Sequence, residues 1–187
     1  MLTHCHTGPL ATGGGGTALG VVIAGHRDGR VAFVWVDETR PRLQGARITA
    51  LELRREGVPF ALIADGAAAG IIARGEVDQV WVGADRVARN GDVVNKVGTY
   101  GLALACAAHR VPLHVAFPRS TFDPALARGG DCPIEERAGA EVLQVAGTAV
   151  APAGTEARNP AFDVTPAPLV TAWVTDRGIA RDPSQLA

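Results

Sequence analysis

The stretch Phe60-Ala61-Leu62-Ile63, a helical segment from Ala67 to Arg74 closed by Gly75, and then Gln79-Val80-Trp81-Val82-Gly83-Ala84-Asp85 decides the fold. Two short apolar runs flank one helix, and each run is apolar on both faces. Such near-continuous hydrophobicity suits strands covered on both sides, as in a parallel sheet. The same alternation extends outward. Val31-Ala32-Phe33-Val34-Trp35-Val36 and Leu113-His114-Val115-Ala116-Phe117 read as strands, and Ala18 to Arg27, Gln44 to Glu56 and Asn95 to His109 read as helices. Gly29, Gly57 and Gly75 follow three helices where a left-handed residue would stop them, and Pro59 and Pro112 open the next strands. The expected architecture is an α/β, Rossmann-like open sheet, mostly parallel, with helices on both faces and right-handed crossovers. Residues 1–187 read as one domain, without repeat or linker.

Composition narrows the partners. Eighteen basic residues against nineteen acidic give a net charge of −1, so no general field draws nucleic acid or an anionic membrane surface. No apolar run reaches the roughly 18 residues that a membrane span needs. Three cysteines are an odd number for disulfides and are not spaced as a zinc site. A reducing cytoplasm is the expected compartment.

In an open parallel sheet, ligands sit outside the carboxyl ends of the strands. Cys5, Asp37, Asp65, Asp85 and Pro118 all fall at strand ends and are expected to ring one crevice. Free cysteines are usually small buried hydrophobes, and Cys106, inside Leu102-Ala103-Leu104-Ala105-Cys106-Ala107, fits that description. Cys5 differs, because it lies among polar residues ahead of a helix start that would stabilise a thiolate. His4 and His6 flank it, but side chains alternate along a strand and neither is assigned as a base. Asp85 is either a surface turn residue paired with Arg86 or a carboxyl raised toward proton donation by a dry crevice. Asn95 and Lys96 read as the start of the long helix. A cation there opposes the helix dipole unless a bound anion, or Asp92, offsets it.

Gly13 to Gly16 after the first strand, with Asp37 at the end of the second, resemble a dinucleotide-binding layout, yet they do not spell G-x-G-x-x-G. A tight turn and a backbone cradle for an anion remain equal readings.

Four stretches carry a resemblance: Leu2 to Cys5; Val36-Asp37-Glu38-Thr39-Arg40-Pro41-Arg42-Leu43-Gln44-Gly45-Ala46-Arg47; Val82 to Arg86 continuing through Asn90-Gly91-Asp92 to Asn95-Lys96-Val97-Gly98-Thr99-Tyr100; and Asn159 to Pro166. With Pro133 to Arg137, they resemble the C-terminal domain of the methylthioribose-1-phosphate isomerase family, from residue 2 to residue 178. Relatives of that family include ribose-1,5-bisphosphate isomerase and the α, β and δ subunits of initiation factor 2B. The isomerases have the cysteine and aspartate of these motifs and the initiation-factor subunits lack them.

The resemblance implies Cys5 and Asp85 as acid/base residues and Gln44, Asn95 and Lys96 as substrate contacts. It implies conversion of 5-methylthioribose 1-phosphate to the corresponding ketose phosphate, with no metal or redox cofactor. A protonated Asp85 would open the furanose at its ring oxygen, and hydrogen would then pass from C2 to C1 as a proton, with Cys5 as relay, or as a hydride. Family members carry an N-terminal domain ahead of the cysteine motif that grips phosphate, so this chain is expected to turn over poorly alone or to need a separate chain for that part. His6 stands where the family usually has asparagine. A homodimer is also implied, for which Val142 to Pro152 or Leu169 to Val174 offer apolar faces unless these close the sheet edge. Alternatives are a non-catalytic regulatory protein of the initiation-factor kind, an isomerase for another phosphorylated pentose such as ribose 1,5-bisphosphate, and a nucleotide-dependent oxidoreductase.

Overall fold

The computed structural model describes residues 1–186. Along the chain run β1 (Leu2–Thr3), α1 (Pro9–Thr12), α2 (Ala18–Arg27), β2 (Val34–Asp37), a π-helical turn (Gly45–Thr49) leading into α3 (Ala50–Arg55), β3 (Phe60–Ile63), α4 (Ala68–Ala73), β4 (Val80–Val82), β5 (Arg86–Ala88) and β6 (Val93–Lys96). There follow α5 (Thr99–His109), β7 (Leu113–Ala116), β8 (Phe122–Asp123), α6 (Ala140–Leu143), β9 (Gln144–Val145), β10 (Thr148–Ala149), β11 (Phe162–Thr165), β12 (Ala172–Thr175) and β13 (Gly178–Ala180).

Seven strands form the main sheet in the order β13-β12-β7-β4-β1-β2-β3. All neighbours are parallel except β13, which pairs antiparallel with β12. The expected Rossmann-like α/β sheet is therefore present. Its order reverses at β1, which pairs with β2 on one side and β4 on the other, with Leu2 opposite both Trp35 and Val80. Ligand crevices in open α/β sheets form at such a switch point.

Both faces of this sheet are buried, as the apolar strands require. Leu19, Val22, Ile23, Val34, Val36 and Leu53 pack on one side with α2 and α3. Leu2, Ile71, Ile72, Val80, Leu102, Cys106, Leu113 and Trp173 form the other cluster, with α4 and α5. Each fully buried Val or Leu contributes about 1.5–3 kcal/mol. Cys106 is 1% exposed and its thiol is pushed up to about 12 by burial, which makes it core as expected. Gly29, Gly57 and Gly75 close their helices at φ +70°, +70° and +75°.

One expectation is corrected. Asn95 and Lys96 do not open a helix: they end β6, and α5 begins only at Thr99. Val93 and Val94 favour a strand, and β11 supplies an antiparallel partner that sets Phe162 opposite Lys96 and Asp163 opposite Asn95. Gly98, at φ +107°, then turns the chain into the helix. Of the run Leu169 to Val174, the last three residues enter β12, which is paired by β7 on one side and β13 on the other, so this half takes the sheet-closing alternative. A second, four-stranded sheet in the order β11-β6-β5-β8 joins segments that periodicity along the chain does not link. No helix among the described residues is long and apolar enough to cross a membrane.

Candidate active site

A cavity of about 620 Å³ opens at the switch point, between the carboxyl ends of β1 and β4 and the small sheet. Cys5, Gln44, Asp85, Asn95 and Lys96 all line it. The structure thus brings the five singled-out residues together although they come from four segments of chain.

Each is positioned by its own local bonds. The tip of β1 is fastened to β4 by the Thr3 hydroxyl, which donates to the Trp81 carbonyl at 2.8 Å. Cys5 takes a left-handed φ of 65°. Its N–H donates to Thr39 Oγ1 at 2.8 Å and its carbonyl accepts from Thr49 Oγ1 at 2.7 Å. Gly83 lets the loop after β1 come close to β4, because a Cβ there would lie 2.5 Å from Thr7 Cγ2. Asn95 is 4% exposed, and its amide donates to Thr99 Oγ1 at 2.9 Å. Lys96 is 9% exposed, donates from Nζ to the Ala161 carbonyl at 2.8 Å, and lies 4.6 Å from the centre of the Phe162 ring. Gln44 Oε1 is buried without a hydrogen-bond partner.

The electrostatics correct one expectation. Cys5 is not a stabilised thiolate: burial pushes its thiol up to about 11, against the opposing pull of the His6 backbone N–H and the Lys96 charge. The negative charges of Asp85 and Asp65 add to the rise. The helix that follows, α1, is only four residues long and offers no side-chain cap, so its dipole is too weak to reverse this. Asp85 does not pair with Arg86, whose guanidinium reaches Asp123 at 3.3 Å. The Asp85 side chain is open to the cavity, yet partial desolvation by the walls raises its carboxyl above the ordinary value, and Lys96 holds the rise back. The Cys5 thiol is therefore protonated at neutral pH, and the Asp85 carboxyl is shifted in the same upward direction. Lys96 makes no salt bridge to Asp92, whose oxygens accept from Asn90, Gly129 and Ala167.

Pro118 also lines the cavity, but Asp37 and Asp65 do not, contrary to expectation. Asp65 turns both oxygens to the backbone N–H groups of Thr39 and Arg40, at 2.7 and 2.6 Å. Asp37 faces His4, with Oδ2 2.8 Å from Nδ1. These three residues are the group of metal-ligand types whose donor atoms lie within 4.8 Å of one another. Their donors already serve one another and the backbone, apart from Asp37 Oδ1, so they form a closed polar network. Asp37 is equally unable to meet a ribose, which removes the only acid of the dinucleotide reading.

Several wall residues escaped the sequence. Arg42, Arg137, Thr7, Thr17, Thr121, His6 and Phe162 line the same cavity. Arg42, Arg137 and Phe162 lie inside the quoted motifs, which is the signal that could have found them. His6 is held by Thr49, with Nδ1 3.1 Å from Oγ1, and its Nε2 faces Glu52 Oε1 at 3.4 Å.

Comparison with known proteins identifies the family of the chain. The model of the Initiation factor 2 subunit family matches residues 1–182. A Klebsiella pneumoniae protein named methylthioribose-1-phosphate isomerase is 57% identical over all of this chain and 56% of its own length. An Anaeromyxobacter protein of the same name is 59% identical over 98% of this chain and 54% of its own length. Among solved structures, 5-methylthioribose 1-phosphate isomerase from Pyrococcus horikoshii superposes with a TM-score of 0.96 at 46% identity, covering 99% of this chain and 53% of that one. The translation initiation factor eIF-2B subunit delta from A. fulgidus gives 0.93 at 40% identity, covering 99% and 54%. The chain thus spans about half the length of the curated relatives it matches.

Proposed function

The chain belongs to the Initiation factor 2 subunit family, and from that premise we propose that it carries the acid/base centre of an aldose–ketose isomerase acting on 5-methylthioribose 1-phosphate. The observation that carries the reading is the convergence of Cys5 and Asp85 on one cavity with Lys96 in its wall. The isomerase names of relatives up to 59% identical support the substrate class.

Asp85 gives its proton to the ring oxygen of the sugar. The C1–O4 bond then breaks with its electron pair going to O4, and the phosphate-ester oxygen shares the positive charge left at C1. Hydrogen reaches C1 by one of two balanced routes. In the first, C2 loses a proton, the C–H pair forms a C1=C2 enol, and C1 is protonated as O2–H gives up its proton and C2 becomes a carbonyl. In the second, hydride moves from C2 to C1 and O2 loses its proton. Cys5 serves as proton relay on the first route, and Asp85, now a carboxylate beside Lys96, is a proton acceptor on either. Lys96 has one carbonyl partner and spare ammonium protons for an anionic substrate oxygen. Gln44 Oε1 and the Asn95 amide fit sugar hydroxyls.

This reading makes the chain the C-terminal catalytic domain of the whole protein, with the family's N-terminal domain gripping phosphate. Self-association as a homodimer belongs to the same proposal, and a sedimentation measurement returning a monomer would remove that part. The decisive assay joins this chain to the N-terminal portion of the Klebsiella relative and follows ketose formation from 5-methylthioribose 1-phosphate. Conversion that Cys5→Ser and Asp85→Asn each abolish supports the reading, and conversion indifferent to both substitutions overturns it.

A further inference from the structure

Cys5 follows a strand of only two residues, and a two-residue strand cannot by itself fix the side chain beyond its end. The residue between them is His4, 1% exposed, and its ring is bonded at both nitrogens. Nε2 lies 2.9 Å from the Val97 carbonyl and Nδ1 lies 2.8 Å from Asp37 Oδ2. A carbonyl oxygen only accepts, so Nε2 carries a hydrogen. The contact between Nδ1 and the carboxylate then requires one further proton, shared by the pair. The ring also packs on Gly98, where an added Cβ would sit 2.9 Å from His4 Cε1.

We propose that His4 is a positioning residue, a proton-dependent clamp that ties the Cys5 turn to the end of β2 through Asp37 and to the Asn95–Lys96 end of β6 through Val97. The clamp joins the two sides of the cavity described above: β1 belongs to the main sheet, whereas Val97 follows directly on β6 of the small sheet. His4 is not among the residues that line the cavity, so it acts through its neighbours.

The charges facing the ring all have one sign. Asp37 approaches from β2, Asp65 from the turn after β3 and Asp163 from β11. Burial alone would lower the imidazole, but the Asp37 bond and charge, the Asp65 charge and the Val97 carbonyl outweigh it and raise it. Asp37 itself is pushed up by burial and pulled back by His4. We place the shared proton on His4, because three carboxylates surround the ring and Nε2–H is already committed to Val97. A raised imidazole means that the clamp is closed throughout the ordinary histidine range and opens as pH climbs through the raised value.

The inference rests on the reading of Cys5 as an acid/base group, and its test contains no turnover, so the two fail separately. Nitrogen-15 NMR of the imidazoles in the full chain reads the two His4 nitrogens directly. Both should stay protonated well above the roughly 6.5 of an ordinary histidine. Alkylation of Cys5 by iodoacetamide, followed by mass spectrometry, should be about tenfold faster in Asp37→Asn protein than in the unchanged chain as the turn loosens. In the unchanged chain, the rate should climb more steeply than thiol ionisation alone once His4 loses its proton. A His4 that titrates at the ordinary value overturns the clamp, as does an unmoved Cys5 rate in folded Asp37→Asn protein. If that variant does not fold, the titration and the pH profile of the unchanged chain decide.

Discussion

Lys96 Nζ lies 4.6 Å from the centre of the Phe162 ring and 2.8 Å from the Ala161 carbonyl, and among the described residues no carboxylate stands within 4.0 Å of it. The buried ammonium is thus held by a π face and one carbonyl, and the charge of Asp85 reaches it only across the cavity, without a salt bridge. Such a group is costly in an empty protein and strongly attractive to an anion.

Lys96→Met should therefore weaken binding of the sugar phosphate by about 10- to 100-fold, the usual range for losing a hydrogen bond to a charged group. The same change should leave the chain as stable or more so, since it removes an unpaired buried charge. Calorimetric titration and a denaturant midpoint measure the two halves.

Asp85→Asn should lower conversion by about 10²–10⁴-fold in the joined protein, the range for removing a general acid. Because burial raises the Asp85 carboxyl, the wild-type rate should fall as pH climbs through the raised value. The sign for stability is the reverse of a salt-bridged aspartate. A raised carboxyl contributes stability below its unfolded value and loses it as pH rises, so the Asn variant should have the higher unfolding midpoint at neutral pH. The difference should vanish in acid, where both forms are uncharged.

Cys5 should react slowly with iodoacetamide at neutral pH. With the thiol at about 11, its alkylation rate should rise about tenfold per pH unit well past the range where an ordinary cysteine levels off, before any further gain from loosening of the turn. A plateau near pH 8.5, followed by peptide mass spectrometry, would instead reveal a thiol that burial does not affect.

Gly98→Ala combines a left-handed φ of +107° with a Cβ driven against the His4 ring. The backbone alone should cost about 1–3 kcal/mol. A denaturant titration should show it, and the variant should also disturb the helix start that Asp163 caps through Gly98 and Tyr100 N–H.

Periodicity made the main sheet legible because its strands are local apolar runs separated by glycine-stopped helices. Cys5 and Asp85 could be brought together on paper because both end neighbouring strands. Asn95 and Lys96 were misread as helical because their true partner, β11, lies 65 or more residues away, and pairing at that distance leaves no periodic trace. The thiolate reading of Cys5 failed for a different reason. A following helix could be seen in the sequence, but its four-residue length and the depth of the sulfur could not. Asp37 and Asp65 were placed in the crevice by their position at strand ends, and their side chains turn instead to His4 and to the backbone of Thr39 and Arg40.

Leu10, Ala11, Thr12 and Thr17 line the cavity, Gly13 to Gly16 join Thr12 to Thr17 along the chain, and at Gly14 and Gly15 an added Cβ would meet no atom within 4 Å. Neither of these two glycines has the positive φ of Gly13 and Gly16. A cysteine introduced at Gly14 could therefore carry a fluorophore two residues along the chain from the Thr12 wall, with the lining side chains left unchanged. The glycine run, so suggestive of a nucleotide, is of most use as an attachment point for an optical reporter of sugar-phosphate entry.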